Sequence, residues 1–232
     1  MWAVIDSGID VDHTHFAKFG NCTLQLPLEH KSFVPPLDAK KDEFGHGTHV
    51  AGVIAGRSDA ATAATLSVDE HGDSEYHLTK VDGIRGMAPE CKLMSLRVLN
   101  EKGSGDVIAL LHAIEYIQML NDNGRNIVVH GVNLSVGYPF QADAYACGQT
   151  PLCVEVDRLV KSGVVVVAAA GNTGHVKTLQ PNNTYFGAGQ FLSINDPGNA
   201  RLAITVGSTH REKPHMYGVL YFSSKGPTED GR

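Results

Sequence analysis

The chain has 232 residues, 42% of them hydrophobic and 19% charged, with a formal net charge of −6. That length suits one domain with a substantial core, and the balance argues against disorder. An acidic chain offers no electrostatic case for nucleic acid or an anionic membrane as partner, and no apolar run is long enough to form a membrane span.

Taken in chain order, short apolar runs alternate with helical patterns. The opening "MWAVIDSGID" carries a strand over 2–5 and lacks the basic region and cleavage site of a secretory leader. In "FGHGTHVAGVIAG", residues 44–56, His46 stands between two glycines where a helix begins. Gly47, Ala51 and Ala55 fall at i, i+4 and i+8, which suits a helix pressed closely against its neighbours. Such a helix is poor in isolation, since glycine costs about 1 kcal/mol against alanine. A buried helix with its first turn on a cleft is therefore expected. Residues 57–82 are polar and weakly periodic, and read as a surface excursion inserted into a domain spanning 1–232.

Further strands are expected over 92–99, 126–136, 163–170 and 201–208. The run at 164–170 is apolar throughout, which predicts a strand covered on both faces. Helices are expected over 106–122, with Asp106 as N-cap and Gly124 as stop, and over 153–162, ending at Gly163. This alternation predicts an α/β fold with a mostly parallel sheet. Cys22, Cys91, Cys147 and Cys153 match no zinc-ligand spacing; Cys147 and Cys153 flank a short loop and either close into a disulfide or remain thiols.

Three segments carry candidate chemistry. "AVIDSGID" puts Asp6 just past an apolar strand, where α/β folds place ligands and catalytic groups. "GHGTHVAG" puts His46 at a helix start with glycines that allow close approach, and "VVVVAAAGN" ends a strand in Gly171 and Asn172. Each alone has a structural explanation as cap or turn former.

Together and in this order, "AVIDSGID", "HGTHVAG", "VNLSVG" and "VVVAAAGN", followed by "ITVGS" and "FSSKGP", resemble the subtilisin-like serine proteases, the subtilases. The resemblance implies a seven-stranded parallel sheet with helices on both faces, and a serine endopeptidase working through an Asp-His-Ser triad. By that likeness Asp6 would orient and stabilise the imidazole of His46, and Asn172 would donate to the oxyanion of the tetrahedral intermediate. Gly103, Ser104 and Gly105 on one side, and Ser135, Val136 and Gly137 on the other, would flank a polypeptide substrate in extended conformation. The P1 pocket would be walled by 135–137 and 168–171, including Ala170 and Gly171.

The family places its serine in a Gly-Thr-Ser-x-Ala segment, and no such string occurs in these 232 residues. The expectation is a domain without its C-terminal part, its nucleophile outside this chain and the fragment itself inactive. Ser7, Ser208, Ser223 and Ser224 match family positions with other duties. Two rival readings stand beside this one. A metal-dependent hydrolase would use the crowding of Asp6, Asp10, Asp12, His13 and His15, although no zinc or EF-hand spacing is present. A non-catalytic peptide-binding module or pseudoprotease would keep the substrate edges without the serine.

Many subtilases supply a calcium carboxylate nine positions after the catalytic Asp, where this chain has His15, a poor ligand for a hard cation. No metal or cofactor is therefore assigned, and structural calcium is left open, with Asp59, Asp69, Glu70 and Asp73 as weak candidates. The resemblance leans towards an extracytoplasmic or secreted location over the cytoplasm.

Overall fold

The structure is a computed structural model describing residues 1–68, 71–179 and 183–232. In chain order the elements are β1 (Trp2–Asp6), α1 (Thr14–Ala17), β2 (Lys31–Ser32), α2 (His46–Ile54), β3 (Arg57–Ser58), β4 (Ala61–Val68), β5 (Ser74–Val81), β6 (Ile84–Arg85) and β7 (Leu93–Arg97). They continue with α3 (Val107–Leu120), β8 (Gly131–Leu134), α4 (Pro151–Lys161), β9 (Val165–Ala169), β10 (His175–Leu179), β11 (Tyr185–Gly189), β12 (Ile204–Val206) and α5 (Pro214–Tyr217).

One sheet of six strands, ordered β12-β9-β8-β1-β7-β2, is parallel at every pairing. The fold is the expected α/β one, with six strands rather than seven in this sheet among the described residues. Helices cover both faces, and the period of two along β1 shows how. Ala3 and Ile5 join the core under α3 and α4, while Trp2 and Val4 pack with Phe16 of α1 and Ala51 of α2.

The ends of α3 and α4 follow local chemistry. Asp106 accepts from the backbone N–H of Ile108 at 2.8 Å as the expected N-cap. α4 begins two residues earlier than expected because Thr150 caps it and Pro151 occupies its first turn, where no N–H is needed. Gly163 follows it with a left-handed φ of 103°.

Two expectations change. The run at 164–170 is fully covered on one face only: Val164, Val166 and Ala168 are buried, while Val165 is 44% exposed and Val167 and Ala169 are half-buried. On the same side, Ile204 and Val206 of β12, paired with Val167 and Ala169, are 55% and 50% exposed. Within 57–82, β4 and β5 form an antiparallel hairpin, and β3 pairs with β6 just beyond it, so the weakly periodic stretch is built of strands. Its strands are exposed on both faces, which removes the alternation that would have marked them. All four cysteines are free thiols, Cys147 and Cys153 being buried. No helix among the described residues is long and apolar enough to cross a membrane.

Candidate active site

The carboxyl ends of β7, β8 and β9 open on a cleft of about 830 Å³, lined among others by Leu99, Ser135 and Ala169. Asp6, the last residue of β1, is fully buried, and Oδ1 accepts from the N–H of Ser7 at 2.7 Å. His46 is the first residue of α2, which packs against β1 through its small residues. A Cβ at Gly47 would run into the carbonyl of Gly8 and lie 3.1 Å from Asp6 Cβ, so only glycine lets helix and strand end meet here.

That contact brings Nδ1 of His46 to 2.7 Å from Oδ1 of Asp6. The bond raises the imidazole above its ordinary 6.5, burial opposes the shift, and the charges of Asp6 and Asp42 add to it. With Nδ1 committed to a carboxylate, the neutral ring carries its proton there and offers Nε2 as a base. The ring lines the cleft, and Nε2 makes no hydrogen bond among the described residues. Phe44, tilted at 6.2 Å from the imidazole, forms the cleft wall between His46 and Gly103.

Asn172 lines the same cleft as His46, three residues past β9, exposed and with its side chain unbonded among the described residues. The turn that presents it uses Gly171 at a φ of 109° and is tied by Thr173, whose hydroxyl lies 2.7 Å from the Ser193 carbonyl and 3.0 Å from Asn195 Oδ1.

Of the expected substrate contacts, Gly103, Ser104, Gly105, Ser135, Val136, Gly137 and Gly171 line the cleft. Ala170 does not. It is buried, with its N–H donating to Val206 and its carbonyl accepting from Asn195, and Ala169 lines the wall instead. The 103–105 segment is a turn organised by Asn100, which takes the N–H groups of Gly103 and Ser104. Ser135, Val136 and Gly137, just past β8, make no backbone–backbone hydrogen bond among the described residues.

Asn195, Tyr138 and Tyr145 also line the cleft and were not singled out from sequence. Asn195 arrives in the "SINDPGNA" loop, where the Asp-Pro pair and flanking asparagines signal a turn but not a cleft floor. Among the described residues no serine hydroxyl bonds His46: Ser7 Oγ donates to Asp42, Ser223 Oγ to the carbonyl of Ser224, and Ser224 Oγ meets Thr173.

The crowd of acids and histidines after β1 disperses. His15 is buried with Nε2 on the Gly52 carbonyl, and Asp12 pairs with Lys41. Asp59 is shared by Lys18 and Arg57, while Asp69 and Glu70 lie outside the described residues. No group of three or more metal-capable side chains forms among the described residues.

The chain matches the family model described as the Subtilase family over residues 2–232. It is similar to Subtilisin DY of Bacillus licheniformis, 33% identical over 171 residues that make up 74% of this chain and 46% of that protein. Subtilisin E of Bacillus subtilis (strain 168) is 33% identical over 173 residues, 74% of this chain and 34% of that protein. The Serine protease AprX of the same strain is 28% identical over 197 residues, 82% of this chain and 36% of that protein. The chain thus spans less than half the length of these relatives. A parallel sheet that ends in a buried aspartate bonded to a helix-opening histidine, and a family match over nearly every residue, lead to one conclusion: the chain belongs to the subtilase family.

Proposed function

We propose that this chain carries the acid–base and oxyanion-binding parts of a serine endopeptidase site, and that the serine nucleophile lies outside these 232 residues. The observation that carries the reading is the 2.7 Å bond between His46 Nδ1 and a fully buried Asp6. In the reaction, Nε2 takes the proton of the serine hydroxyl as it attacks the scissile carbonyl, and Asp6 stabilises the imidazolium that results. His46 then passes the proton to the leaving amine. Asn172 donates its side-chain amide to the oxyanion.

The substrate is a polypeptide lying extended between 103–105 and 135–137. The unbonded backbone of 135–137 supports its use as the principal pairing edge, since two of the N–H groups in 103–105 serve their own turn.

The test has two parts. The 232-residue chain alone should show no peptide turnover, and turnover sensitive to a serine-directed inhibitor would overturn the placement of the nucleophile. A product of the same reading frame that includes a Gly-Thr-Ser segment should hydrolyse peptides and lose that activity on His46→Ala. A natural frame without such a segment would replace the enzyme reading with that of a peptide-binding module.

A further inference from the structure

Helix α2 does not cap itself. Its N-cap, Gly45, has no side chain to accept from the first turn, yet this turn must hold His46 against Asp6. The missing acceptor is supplied from three residues earlier. Asp42 Oδ2 accepts from the N–H and the hydroxyl of Thr48 at 2.8 and 2.7 Å. Its Oδ1 accepts from the N–H of Gly45 at 2.9 Å and from the hydroxyl of Ser7 at 2.8 Å. Ser7 Oγ in turn accepts from the N–H of Gly47 at 3.0 Å. One carboxylate thus binds the residue after Asp6 and, directly or through Ser7, both neighbours of His46.

The loop that presents Asp42 is itself anchored. Arg97 is fully buried and stands opposite Asp6 in the β1–β7 register. Its Nη1 donates to the carbonyls of Asp38 and Lys41, and its Nη2 ion-pairs with Glu43 at 2.7 Å. Burial works to raise the Asp42 carboxyl, but the bonds from Thr48, Ser7 and Gly45 outweigh it and keep the group ionised well into acid. A fixed negative charge at a helix N-terminus also stabilises the helix dipole.

The geometry points to Asp42 as a positioning residue of the His46–Asp6 pair: it fixes the first turn of α2 against the end of β1 and adds a second negative charge beside that turn. This rests on the function proposed above, to which Asp42 contributes without touching substrate. The charged groups acting on the ring are Asp6 at the end of β1 and Asp42 in the loop, and Phe44 is the neutral neighbour on the cleft side.

The test is an NMR titration of the histidine rings in this chain, with the hydrogen-bonded Nδ1 proton of His46 as second readout. Asp42→Asn should lower the pH at which His46 titrates and weaken the Nδ1 proton signal through faster exchange. Asp12→Asn removes an exposed carboxylate paired with Lys41 on the neighbouring turn, and should leave both readouts in place. A folded Asp42→Asn protein with both readouts unchanged overturns the proposal, as does an equal change in Asp12→Asn. Should Asp42→Asn fail to fold, Thr48→Val strips one donor and keeps the charge. It should broaden the Nδ1 signal, and an unchanged signal counts against the positioning role. These readouts involve no hydrolysis. Activity that survives His46→Ala in the longer product would sink the functional reading and leave the Asp42 coupling standing.

Discussion

The two walls of the cleft are built on different principles. On the β1–α2 side, Asp6 is buried, His46 is bonded to it, and Asp42, Ser7 and Thr48 lock the first turn of the helix. On the β9 side, Asn172 is exposed and unbonded among the described residues, carried by a glycine turn that Thr173 ties to its neighbours. A proton acceptor needs its tautomer and charge fixed in advance, which takes a network. In the proposed reaction Asn172 would be an oxyanion donor, which needs only to be aimed at a charge that appears later, and a free amide on a fixed turn would suffice. Substitutions on the first wall should therefore disturb several properties together, and those on the second only one.

The largest effect expected is from Asp6→Asn in a product that includes the nucleophile. The asparagine leaves the ring in the wrong tautomer, and kcat should fall by about 10⁴. Because Asp6 is also part of the buried network, the His46 titration should move to lower pH in the same variant. A loss of activity without that movement would separate orientation from charge and break the picture of a coupled wall.

Asn172→Ala should cost less, roughly 10²–10³ in kcat with KM little changed. The thermal midpoint and the His46 titration should both stay where they are, since Asn172 supports neither. A rise in KM at constant kcat would instead make Asn172 a ground-state contact and take the oxyanion role from it.

Much of this wall structure was legible in the sequence, and the reason is local. A carboxylate ending an apolar run, a histidine between glycines and an asparagine after Gly171 each carry their signal within a few residues. Asp42 and Asn195 carry no such signal. Their roles arise from contacts between segments far apart in the chain, Asp42 with Ser7 and Asn195 with Thr173. The same physics explains the strands that the sequence did not mark. β2 is two residues long and has no period to detect, and a hairpin exposed on both faces has no apolar stripe. Ala170 sits in the right segment, but the alternation of the strand turns it inward and leaves Ala169 facing the cleft.

Gly47→Ala tests the close approach from which the first wall is built. The added methyl meets the carbonyl of Gly8 and crowds Asp6 Cβ, so helix and strand end must part. Overpacking of this kind costs about 1–3 kcal/mol, readable as a lower denaturant midpoint at unchanged slope. A neutral result would mean that α2 can slide without loss, and that the locked wall is less rigid than its hydrogen bonds imply.

The smallest effect expected is on stability against pH, and its sign is fixed by the direction of the His46 shift. The folded imidazole titrates above its ordinary 6.5, chiefly through the bond to Asp6. The folded state therefore holds the proton more tightly than the unfolded state does. The stabilisation is complete below that ordinary value and is lost as the pH rises through the raised folded one. With the ring 41% exposed, solvent screening keeps the contribution small. Against His46→Gln, the wild-type advantage in denaturation midpoint should be widest in mild acid and narrow to a constant remainder in mild alkali. An advantage that grew with pH would mean an imidazole held neutral by burial, with Asp6 acting as a hydrogen-bond acceptor more than as a charge. The two walls would then differ in rigidity alone.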